Sequence, residues 1–217
     1  MPTLQWKWML HLNCEPVRKS AVIVLCFLCS LNLLAQKAVG MEQYYYWQQK
    51  TTSIIVPKVY YESPKKWYTE FRYNWEELQT ASVHFGRQLQ FRQLEELTVT
   101  PVAGVVFGRL NGVSAGTILE IALDRFLFLS EPQYVFSFDQ KAENFLYSWS
   151  ELSYEINSYS YAGLALQQTK IYGEENYFEP GIMAGFTLGR FDIPIYCFSP
   201  ASSTKNFVLG VNWRWEK

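Results

Sequence analysis

Between residues 97 and 129 the chain reads LTVTPVAGVVFGRLNGVSAGTILEIALDRFLFL, two long alternating runs on either side of Asn111-Gly112. An Asn-Gly pair tolerates the positive φ values of a type I′ turn, whose twist matches two paired strands. Leu97, Val99, Ala103, Val105 and Phe107 share one face before the turn, and Thr98, Thr100, Gly104 and Gly108 share the other. Beyond it, Leu119, Ile121 and Leu123 alternate with Ser114, Gly116, Glu120, Ala122 and Asp124. The pattern predicts a long hairpin with one greasy face and one small, polar or acidic face.

Past residue 40 the rest of the chain repeats this pattern and offers no amphipathic helix of convincing length. Alternating runs are predicted at 53–61, 67–75, 81–92, 133–139, 144–155, 159–170, 177–188, 190–198 and 206–216, with 41–49 as an ambiguous first strand. Turns fall at 63–66 and at Ser130-Glu131-Pro132. In 144–155 the apolar phase runs Phe145, Tyr147, Trp149 and then swaps to Leu152, Tyr154, Ile156, as a β-bulge does. Single-chain bacterial barrels have even strand numbers. The expectation is therefore an antiparallel, up-and-down, all-β barrel of about 12 strands, with 10 as the alternative.

Which side of such a barrel meets water follows from the two faces. The polar faces are dominated by Gly, Ala, Ser and Thr with isolated charges, and lysine is scarce at strand centres. That suits a cramped interior better than a solvent face. The apolar faces carry bulky residues at mid-strand and aromatics near the ends, from a chain with 18% aromatic residues. Trp67 and Trp75 are separated by about 26 Å at roughly 3.3 Å per residue. With a tilt of about 40° they span a height close to that between two aromatic girdles. Trp67, Trp75, Trp149, Trp213 and Trp215 are the girdle candidates. The strands are therefore read as transmembrane; a soluble periplasmic barrel with an apolar ligand inside is the competing architecture.

The N-terminal part supports export. Arg18-Lys19 precede the apolar run AVIVLCFLCSLNLLA at 21–35, shorter than the roughly 20 residues of a spanning helix. Small residues follow it, so it reads as a cleaved signal peptide. Cleavage is expected after Gly40 or after Ala35, giving a leader at 1–40 and one barrel domain at 41–217. Cys14, Cys26 and Cys29 fall in or before the leader and only Cys197 in the barrel, so no disulfide is expected there. A net charge of −1 gives no reason to expect nucleic acid as a partner.

The signal peptide, runs of about ten residues, tight turns and the ending FVLGVNWRWEK resemble small bacterial outer-membrane β-barrel proteins of porin-like type. The resemblance covers roughly residues 41–217. It implies a Gram-negative outer-membrane location, contact with outer-membrane lipid, and recognition by the barrel-insertion machinery during biogenesis. Such proteins usually end on an aromatic residue, whereas here Trp215 is followed by Glu216-Lys217.

Few residues could carry chemistry. His84 and Ser82 share one strand face and are the candidates for a nucleophile–base pair in a lipid-modifying enzyme, although that face is the predicted lumen side. No His/Cys cluster has metal-ligand spacing and no glycine-rich phosphate loop exists, so no metal or cofactor is expected. Glu70, Arg72, Glu120, Asp124, Glu151, Glu155, Glu179, Arg190, Asp192 and Arg214 fall on the predicted inner face, together with Lys58 and Glu62. Buried charges persist when paired and hydrogen-bonded, so a lumen network is expected, either as a rigid plug or as the lining of a narrow conduit. All outward loops are short, with no long inward loop to build a constriction. The functional expectation is a structural or narrow-pore transport role.

Overall fold

The computed structural model describes residues 38–48, 53–91, 96–139, 143–202 and 205–216. The apolar run at 21–35 lies outside the described residues. In chain order the strands are β1 (Ala38–Gln48), β2 (Ile54–Glu62), β3 (Trp67–Tyr73), β4 (Thr80–Arg87), β5 (Leu89–Phe91), β6 (Leu97–Gly108), β7 (Gly112–Leu123), β8 (Phe126–Ser137), β9 (Phe145–Asn157), β10 (Ser160–Ile171), β11 (Asn176–Leu188), β12 (Phe191–Phe198) and β13 (Asn206–Glu216).

Apart from β4 and β5, which both pair with β6, each strand pairs antiparallel with its sequence neighbour, and β1 also pairs with β13. The sheet thus closes into a twelve-stranded barrel with one extra short strand, β5. Closure removes the exposed edges of an open sheet. β5 continues β4 in one register, since Gly86 faces Val102 and Leu89 faces Val99. The break between them lies opposite Pro101, which has no N–H to donate. Pro132 and Pro194 likewise sit where the β7–β8 and β12–β13 ladders skip residues.

One rim carries the turns 63–66, 124–125, 158–159 and 189–190, beside the strand ends Phe91, Leu97, Ala38 and Glu216. The other carries the connections 74–79, 109–111 and 172–175, beside the strand ends Gln48, Ile54, Ser137, Phe145, Phe198 and Asn206. Short turns with both chain ends are the periplasmic pattern of outer-membrane barrels, and the longer loops the external one; these serve below as the inner and outer rims.

The outward faces are apolar and exposed, among them Phe71, Phe85, Val105, Leu164, Ile182 and Ile195. A continuous apolar surface of this kind suits hydrocarbon and would drive aggregation in water. Trp67, 53% exposed, points outward near the inner rim, as do Trp213 and Trp215 on β13. Cys197 is free and lies on the outer face of β12.

Three local expectations are corrected. Asn111-Gly112 is not a positive-φ turn: the positive φ belongs to Gly108, at 130°, and the connection is Arg109-Leu110-Asn111. Asn111 instead clamps this turn, accepting from Gly108 N–H and donating to Gly108 C=O. Ser130-Glu131-Pro132 is no turn but the middle of β8; the chain reverses at Asp124-Arg125. Nor does β9 contain a mid-strand bulge. Its register against β8 is unbroken, and the shift lies at Ser160/Tyr161, so Tyr147 and Trp149 share the inner face with Glu151.

Candidate functional site

The lumen is crossed by side chains from opposite walls. Lys58 on β2 holds Glu131 on β8 at 2.9 Å, with Glu42 at 3.4 Å and Glu70 at 3.9 Å. Arg72 on β3 holds Glu70 at 2.6 Å and Glu131 at 3.2 Å, and donates from Nη1 to Gln133 Oε1 at 3.0 Å. Along the barrel wall β8 is the fifth strand from β2. A direct contact between them closes the interior at that level. Both cations and all three of Glu70, Glu131 and Gln133 are buried, a condition that demands this dense pairing.

His84 extends the network. Its Nδ1 lies 3.4 Å from Glu70 and its Nε2 2.6 Å from Ser114 Oγ on β7. Ser82, the expected partner of His84, donates to Glu76 Oε1 at 2.8 Å instead. The Ser82–His84 nucleophile–base pair is therefore not formed. Both residues are fully buried in the interior, and their hydroxyl and ring act as network members.

Aromatic side chains fill the rest of the middle and outer lumen. Trp149 packs against Tyr44 with ring centroids 5.7 Å apart, Tyr196 at 5.0 Å and Phe198 at 5.3 Å. Trp149 also donates to Glu151, which accepts a second bond from Tyr196 at 2.7 Å. Trp149 was expected in the lipid-facing girdle and is instead an internal wall contact. Trp75 is corrected in the same way. Asn74 takes a left-handed φ of 59°, the strand alternation ends, and Trp75 turns inward to 8% exposure. Its ring lies 6.0 Å from Tyr44, 6.1 Å from Tyr147 and 4.8 Å from the Arg72 guanidinium. The connection 74–79 is thus a short loop turned inward.

The remaining inner-face candidates scatter. Glu62 meets Arg214 at 3.4 Å, and Asp192 accepts from Tyr161 at 2.9 Å. Glu179 is buried opposite Gln167. Glu120 and Glu155 lie on the inner face near the inner rim and are exposed, as is Arg214, so that end of the lumen is open to solvent. Asp124 and Arg190 leave the network altogether, because each occupies a two-residue turn at the rim and is exposed.

Sequence reasoning missed Glu131, Glu42, Glu76 and Gln133. The signal for Glu131 was present, since Gln133, Val135 and Ser137 continue its phase along one strand. Among the described residues no group of His, Cys, Asp and Glu side chains has the arrangement of a metal site.

No protein-family model matches this chain, and no curated protein matches it either. Solved structures do. The KdgM porin superimposes with a TM-score of 0.60 at 9% identity, over 80% of this chain and 98% of that one. The NanC porin gives 0.61 at 10% identity, over 82% and 99%. KdgM in complex with a disordered oligogalacturonate gives 0.61 at 9% identity, over 80% and 98%. The fold is that of the porin-like outer-membrane β-barrels.

Proposed function

We propose that this protein stands in the bacterial outer membrane as a porin-type barrel whose lumen is shut at mid-height, a narrow and regulated conduit for small solutes. The observation that carries the reading is the Lys58–Glu131–Arg72 bridge, which joins opposite walls at 2.9 and 3.2 Å. An open diffusion pore of twelve strands needs its centre free, because this strand number lies between barrels that side chains fill and barrels that leave a wide channel.

The solute class follows from fixed charge. Inside the barrel Glu42, Glu62, Glu70, Glu76, Glu120, Glu131, Glu151, Glu179 and Asp192 outnumber Lys58, Arg72 and Arg214. A negative lining with low-dielectric walls attracts cations. An oligogalacturonate, bound by one structural neighbour, is a polyanion that this lining disfavours. Export through a cleaved leader and insertion by the barrel-assembly machinery complete the reading.

Reconstitution into planar bilayers under a salt gradient tests it. The expected result is a silent or small, cation-selective conductance that increases in Glu131→Ala. A large, steady, anion-selective conductance of the wild type overturns it.

A further inference from the structure

We propose that residues 74–79 are a tethered stopper, with Trp75 and Glu76 shutting the outer half of the lumen and withdrawing when the barrel conducts. This rests on the conduit reading and names the element that regulates it.

The loop is built as a unit separate from the barrel wall. Its neck is closed by its own ends: Asn74 N–H donates to Thr80 C=O at 2.8 Å, and Gln79 N–H donates to Asn74 Oδ1 at 2.8 Å. Asn74 Nδ2 pins that neck to Ile55 C=O on β2 at 3.0 Å. Asn74 and Gln79 both adopt left-handed backbone, with φ of 59° and 58°. Non-glycine residues in this region of φ/ψ cluster at switch segments. A loop pivoting at such a neck can leave the lumen while the β3–β4 ladder stays intact.

What holds the loop inside is different in kind from what holds the wall. Glu76 is buried, yet its bonds are to neutral partners, Ser82 Oγ at 2.8 Å and Gln133 Nε2 at 3.2 Å. Its second oxygen has no hydrogen-bond partner among the described residues. Trp75 is held by ring contacts, and its buried indole N–H is also unpartnered. Two buried polar groups are left incompletely satisfied by the inserted position, so withdrawal into water regains hydration for both.

The stopper also keeps the ion pairs dry. Trp75 covers Arg72 at 4.8 Å and Lys58 at 5.7 Å. With the indole gone, water reaches Lys58, Arg72 and Glu131, their attraction weakens with the higher local dielectric, and the bridge becomes a set of swinging side chains. The closed partition turns into a charged filter.

Single-channel recording of Trp75→Gly, Trp75→Phe, Asn74→Ala and Glu131→Ala, each confirmed as a folded barrel by heat-modifiability, tests the proposal. Trp75→Gly is expected to raise the open fraction by about tenfold or more, and Trp75→Phe, which keeps a ring against Tyr44, to remain near wild type. Asn74→Ala, which loosens the neck without touching the lumen contacts, is expected to open as well and replaces Trp75→Gly if that variant fails to fold. Conductance in Glu131→Ala with Trp75→Gly and Asn74→Ala as silent as the wild type overturns the stopper while the conduit stands. Silence in all four variants removes both.

Discussion

Lys58 Nζ and Glu131 Oε1 meet at 2.9 Å although their strands lie nearly half a circumference apart. Glu131 also serves Arg72 at 3.2 Å, so one carboxylate compensates two buried cations. Removing a single partner of a buried pair leaves the others uncompensated, which costs more than the pair itself contributes. Glu131→Ala should therefore destabilise the folded barrel by about 3–5 kcal/mol. Replacing Lys58 and Glu131 together by Met and Leu should cost far less, since no lone charge remains from that pair. Urea unfolding in lipid vesicles, followed by tryptophan fluorescence, compares the two; equal losses would show that the bridge acts only through packing.

The outward faces make a depth-dependent prediction. Ile182 and Leu164 are exposed near the middles of β11 and β10, whereas Leu123 ends β7 at the inner rim. An arginine at the bilayer midplane costs about 2–4 kcal/mol, falling to about 0–1 near the interface. Ile182→Arg and Leu164→Arg should thus fold into bilayers with markedly lower stability, and Leu123→Arg close to the parent. The same vesicle titration reads this, and an inverted order would mean that the barrel sits at a different height.

How much of this was legible in the sequence differs between the wall and the interior. Twelve strands and the greasy outward face of β6 and β7 follow from period-two alternation, because lipid enforces it on every strand. The interior lacks such a rule. A lumen packed shut accepts Tyr147 and Trp149 as readily as Ser150 would be accepted in an open one, so aromatic residues in 144–155 were assigned to the wrong face. Glu131 was hidden by Pro132, a turn residue by habit, which the barrel tolerates at a gap in the β7–β8 ladder. Trp75 was lost because alternation cannot foresee the left-handed Asn74 that turns the loop inward.

Gly104 lies on the seam where β4 and β6 close the barrel, directly opposite His84. A Cβ there would stand 2.3 Å from the Val83 carbonyl oxygen and 2.4 Å from the His84 ring. The first obstacle is backbone and cannot swing away, so Gly104→Ala must push the seam strands apart. The cost expected of such overpacking is about 1–3 kcal/mol, with loss of the 2.6 Å contact between His84 and Ser114. Gly173→Ala, with open space around its Cβ position but a φ of 80°, should be hurt only through its local backbone. A stability loss in Gly173→Ala greater than in Gly104→Ala would refute the steric account of the seam.

The start of β1 bears on the cleavage site expected from the sequence. Ala38, Val39 and Gly40 pair with Glu62, Tyr61 and Tyr60 on one side and with Glu216, Trp215 and Arg214 on the other. Ala38 is completely buried. Gly40 seats the Tyr60 ring, which lies 2.1 Å from where a Cβ would be. Cleavage after Gly40 would strip these three residues and leave the inner-rim ends of β2 and β13 without the strand between them, opening two sheet edges in a closed barrel. Cleavage after Ala35 keeps the whole of β1. The mature protein, purified from membranes, is therefore expected to begin at Gln36 when its N-terminus is sequenced. A start at Met41 would mean that the barrel holds together with its β2–β1–β13 seam shortened, and a chain engineered to begin there should then match the mature form in its resistance to unfolding.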